Sequence, residues 1–109
     1  MATINFQTIL NTLKDEVTSL AATSVKKYTN EAKSDALSTL DNLKGNLETW
    51  TLQLASGDLS KKDFEFLILA QKELIQMVAL KQAGLALIQA DEFKNALLNQ
   101  IVNTVFKLL

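Results

Sequence analysis

Carboxylates carry most of the reactive potential in this sequence. Glu31 and Asp35 stand four residues apart, which places both on one face of a helix, and Asp15 with Glu16 and Asp91 with Glu92 form adjacent pairs. Paired carboxylates can divide general acid and general base work, or hold a metal. The remaining machinery is missing. With no His and no Cys in the chain, triads, thiolate nucleophiles and the usual zinc sets are excluded. A di-iron site in a helical bundle needs Glu-x-x-His motifs beside its other Glu residues, and the His is absent. These acids therefore read as solvated surface groups, with Lys27 four residues before Glu31 offering an ordinary helix ion pair.

Other constellations fail in the same way. Asp58, Asp63 and Glu65 lack the twelve-residue spacing and the Gly of a calcium loop. Gly57 is not followed by the Gly-Lys-Ser/Thr ending of a phosphate loop. Ser60, Lys61 and Lys62 are adjacent at a helix start, which is not a catalytic dyad. Trp50 and Tyr28 fall on an apolar seam and read as core packing. No catalytic, cofactor-binding or metal-binding residue is assigned, and the chain is expected to be non-enzymatic, with no cofactor.

Composition narrows the partners. The 11 basic residues are all Lys and are matched by 12 acids, for a net charge of -1. Nucleic-acid binding needs a basic stripe to neutralise phosphates, and Arg is the preferred reader of phosphate and guanine, so no nucleic-acid partner is expected. The absence of Cys fits a cytoplasmic protein. Residues 1–13 lack the positive start and the cleavage site of a signal peptide. No apolar run approaches the ~20 residues needed to span a bilayer.

The elements follow from periodicity. The chain has 109 residues, no Pro and only three Gly, so long helices in a single domain over residues 1–109 are the expectation. Phe6, Leu10, Leu13, Val17 and Leu20, and then Leu40, Leu43, Leu47, Trp50 and Leu54, step by three and four along one seam. The spacing predicts one helix over about residues 4–55, with a break near Thr29 and Asn30 as the alternative. Gly45 sits in register inside this pattern. The sharpest local signal lies at residues 56–60. Gly57 can close a helix in the left-handed conformation, and Ser60 can cap the next one. Asp63 stands at the capping-box position, and Leu59 with Phe64 at the staple spacing. A second helix is expected over about 60–89, with Phe64, Leu67, Ile68, Leu74, Ile75, Val78, Leu85 and Ile88 on its inner face. A kink or short break at residues 90–93, with Asp91 as N-cap, is expected before a C-terminal helix over about 91–108, with residues 90–93 inside one continuous helix as the alternative.

The expected architecture is all-α: a long antiparallel hairpin in which residue i faces a residue near 115 − i. This pairs Leu47 with Ile68, Leu13 with Val102, and Ala32 and Ala36 with Ala83 and Ala79. The arms would be roughly 75 Å long at 1.5 Å per residue. Packing is then as a three-helix bundle, or as a dimeric four-helix, coiled-coil-like bundle, with a homodimer favoured. Apolar residues outside the inner faces form the candidate interaction surface: Phe66, Leu69, Met77, Leu80, Leu87, Leu98, Val102 and Phe106. They point to a protein–protein interaction or self-assembling structural module with a protein partner of unknown identity. The alternative is a reversible amphipathic binder of lipid or granule surfaces, which a narrow seam and a polar face not rich enough in Lys for anionic membranes disfavour.

Overall fold

The computed structural model describes residues 5–109, so the expected helix start at Ile4 lies outside the described residues. Its five helices are α1 (Phe6–Ser24), α2 (Thr29–Ser56), α3 (Lys61–Ala70), α4 (Val78–Gln82) and α5 (Leu87–Leu108). No strand occurs among the described residues. The fold is an all-α helical bundle. α1 packs on α2 and α5, and α3 packs on the same two helices, so α1, α2, α3 and α5 form a ring. The molecule measures 47 × 23 × 19 Å.

That length is well short of the expected arm, because the first helix is not continuous. The expectation of one helix over 4–55 is corrected here. Val25 leaves the helical region at φ −133°, ψ 68°, and a single 3₁₀ turn at Lys26–Tyr28 reverses the chain before α2. The break lies just before Thr29 and Asn30 and needs no Gly or Pro. Thr23 and Thr29 bend their hydroxyls back to carbonyls of the preceding turn, a bond that competes with regular helix. Reversal also lets the two seams of the first arm bury each other. Phe6, Leu10, Leu13 and Val17 of α1 join Leu40, Leu43 and Leu47 of α2 in one core. Tyr28 and Trp50 are half-buried against that core.

The junction at 56–60 forms as the residue types dictate. Gly57 takes φ 85°, its N–H donates to the Leu54 carbonyl at 3.3 Å, and the Asp58 N–H donates to the Gln53 carbonyl at 2.9 Å. These two bonds are the Schellman pattern. Ser60 Oγ accepts from the Asp63 N–H at 3.1 Å. Phe64 is fully buried and Leu59 packs against the same core.

The second arm is corrected too. α3 stops at Ala70, and residues 71–86 pass through a 3₁₀ turn (Gln71–Glu73), an irregular stretch and the five-residue α4. α4 closes at Gly84, φ 100°, with a second Schellman pattern: Gly84 N–H to the Lys81 carbonyl and Leu85 N–H to the Leu80 carbonyl, both 3.1 Å. The break resets the helical phase. Leu74, Val78 and Ile88, expected on the inner face, are exposed, whereas Met77 and Leu80 are buried. The expected kink at residues 90–93 does not occur. Asp91 lies inside α5, which starts earlier than expected, at Leu87.

Candidate functional site

Asp35 is the most unusual polar group in the fold. Its neighbours in the seam, Ala32 and Ala36, are fully buried, and Asp35 itself is only 5 % exposed. One carboxylate oxygen accepts from the Ala79 N–H and the other from the Leu80 N–H, both at 2.9 Å. A buried carboxylate needs such partners, and the first N–H groups of a short helix need an acceptor. Asp35 of α2 thus caps α4 from across the bundle. Its reading as a solvated surface group is corrected for this reason. Glu31 remains half-buried. Lys27 sits in the 3₁₀ turn rather than on the helix of Glu31, so their helix ion pair is lost.

Lys94 of α5 serves the other end of the same segment. Its Nζ donates to the carbonyls of Lys72, at 3.0 Å, and Ile75, at 3.3 Å. Its side chain is only 17 % exposed, and Asp91 lies 3.7 Å away. Residues 71–80 are thereby held through their backbone by an anion on α2 and a cation on α5. The folded-in-half register contained one half of this signal, since it sets Asp35 opposite Leu80. Nothing in the spacing of Lys94 marked the other half.

The remaining concavities are shallow. One, about 650 Å³, lies where the α1–α2 reversal meets the start of α5, with Lys26, Lys27, Tyr28, Gln89, Glu92 and Phe93 among its walls. A second, about 410 Å³, runs between α1 and α2 beside Lys14, Leu37, Asp41 and Lys44. A third, about 250 Å³, separates α2 from residues 71–76. No group of three metal-ligating side chains forms among the described residues.

The candidate interaction surface is divided by the fold. Met77, Leu80, Leu98 and Val102 are buried in the core, because the phase reset at residues 71–77 and the α1–α5 contact turn them inward. Leu69 and Phe106 are partly covered. Phe106 stacks at 5.7 Å on Phe64, with Lys61 Nζ 5.6 Å from its ring centre. Only Phe66 and Leu87 of the eight stand out, 69 % and 61 % exposed. Sequence reasoning passed over Leu74 and Ile88, 77 % and 73 % exposed, because a continuous helix would have buried them.

The fold and these pins define an all-α bundle with one irregular strap. Comparison with known proteins finds no matching family model, no matching curated protein and no matching solved structure. Among the described residues, no helix is long and apolar enough to cross a membrane.

Proposed function

We propose that this chain is a non-enzymatic, cytoplasmic protein-interaction module that pairs with a second copy of itself. One observation carries the reading. Leu74, Val78, Leu87 and Ile88, all within residues 74–88, are between 49 % and 77 % exposed. Scattered apolar side chains need no explanation, but several large ones exposed along one short segment of a small protein call for a covering partner. The lack of His and Cys in the chain supports a role without catalysis. The Cys-free composition supports a reducing compartment. The lipid-surface alternative relies on the seam of α1 and α2, which the bundle buries.

Sedimentation velocity tests the reading. The wild-type chain at about 100 μM is expected to sediment as a dimer, the range in which modest interfaces assemble. Replacing Leu74 and Ile88 together by Ser should return it to a monomer without loss of helicity. A wild-type monomer at that concentration overturns self-pairing.

A further inference from the structure

We propose that residues 71–86 form a strap that opens as a unit, released by two ionic pins, while the four-helix ring stays folded. This goes beyond the self-pairing reading and does not depend on it. α3 is 10 residues long whereas α2 has 28 and α5 has 22, so α3 covers only part of the length between them. The strap occupies the remainder of that side. It does so with little regular structure of its own. A five-residue helix gives too few hydrogen bonds to offset its nucleation, and residues 75–77 belong to no helix or strand.

What fastens the strap is small and specific. Met77 and Leu80 are its fully buried apolar side chains. Asp35 holds the N–H groups of Ala79 and Leu80 from α2, and Lys94 holds the carbonyls of Lys72 and Ile75 from α5. The pins come from different helices and have opposite charge. Each satisfies backbone groups that the interrupted helix leaves without partners. Losing either pin frees those groups to seek water, and the cheapest way to reach it is to lift the strap. The other contacts that hold the ring do not involve residues 71–86: α1 on α2, α1 on α5 and α3 on α5. Segments with few buried side chains and few internal hydrogen bonds open below the global unfolding free energy. The strap has both features, and near its end Gly84, with a left-handed φ of 100°, permits a sharp reversal.

Hydrogen exchange read by mass spectrometry, on the full chain at a concentration giving one sedimenting species, tests this. In the wild type, amides of residues 76–85 should exchange through an opening that depends weakly on denaturant, and faster than those of residues 97–105. Asp35→Asn and Lys94→Met should each speed exchange across the whole of 71–86 by roughly 10- to 100-fold, the effect of losing charge-assisted bonds to buried backbone groups. Residues 97–105 should keep their protection. Two results overturn the strap. One is wild-type exchange in 76–85 with the same rate and denaturant dependence as in 97–105. The other is acceleration confined to 79–80 in the first variant and to 72–75 in the second. If a variant does not fold, the wild-type denaturant series decides alone.

Discussion

The Gln100 side chain donates to the Glu16 carboxylate at 3.3 Å, which fixes how α5 lies against α1. The simple hairpin pairs Glu16 with Asn99, one residue away. At the other end of the same contact, Thr23 and Ser24 border one groove with Phe93 and Ala96. α1 therefore runs against α5 in nearly the register of a single long hairpin, although neither arm is continuous. Both arms are creased, the first at residues 25–28 and the second before Leu87. The creases face each other, so folding the hairpin a second time preserves the pairing along its length. Asp35 and Leu80 keep it as well, through their 2.9 Å bond.

Small residues make the doubled fold possible. Ala21, Ala32, Ala36 and Ala90 are fully buried, so helices can approach closely around them. Ala36→Leu should therefore overpack and cost about 1–3 kcal/mol in urea unfolding. Ala22→Leu, on the exposed side of α1, should change stability by less than about 0.5 kcal/mol. Equal effects at the two sites would mean that Ala36 is not at a close contact.

Much of this was legible beforehand, and what was not has a physical cause. The seam of α1 and α2 followed from spacing alone, because buried positions in a helix must recur by three and four whichever neighbour they meet. The turn at 56–60 followed from Gly57 and Ser60, whose backbone preferences are local. The two creases carry no comparable mark. Ser24, Val25 and Lys26 are ordinary residues, and Ala70 is a good helix former. There the chain bends because burial of both seams outweighs helical continuity. Once α3 ends, the phase along residues 74–88 can no longer be counted from Phe64. That is why Met77 and Leu80 turned inward and Leu74 and Ile88 outward.

Gly45 and Gly57 should respond oppositely to Ala. A Cβ meets nothing within 4 Å at either position, but Gly57 has φ 85° while Gly45 lies within α2. Gly57→Ala should cost about 1–2 kcal/mol of left-handed backbone strain. Gly45→Ala should gain about 0.5–1 kcal/mol from helix propensity. Thermal unfolding midpoints should move by several degrees in opposite directions, roughly 4–8 °C per kcal/mol for a domain near this size. A loss at Gly45 would show that α2 is strained there.

Thr51 offers a gain from removing a polar atom. Its hydroxyl is buried with no hydrogen-bond partner, and the residue is 0 % exposed. An unsatisfied buried hydroxyl costs about 1–3 kcal/mol. Thr51→Val keeps the branched shape and removes the orphaned group, so it should raise stability by about 1 kcal/mol. Thr51→Ser keeps the hydroxyl and deletes the methyl, and should lower stability by about the same amount. Chemical denaturation of the three chains side by side checks the order Val above Thr above Ser. A Val variant less stable than the parent would mean that the hydroxyl has a partner in solution.

Phe64 and Phe66, two residues apart on α3, separate folding from association. Phe64 is fully buried against Phe106, with ring centres 5.7 Å apart and planes at 47°, whereas Phe66 is 69 % exposed. Phe64→Ala removes a core aromatic and leaves a cavity, for about 3–5 kcal/mol. Phe106→Leu keeps most of the volume and should lose chiefly the aromatic pair, about 0.5–1.5 kcal/mol. Phe66→Ala deletes a side chain with few intramolecular contacts, so the monomer measured at low concentration should unfold within about 0.5 kcal/mol of the parent. Any effect of Phe66→Ala should appear only as concentration rises, as a weaker tendency to pair. A dilute-limit loss at Phe66 comparable to that at Phe64 would place Phe66 in the core and remove it from the candidate interaction surface.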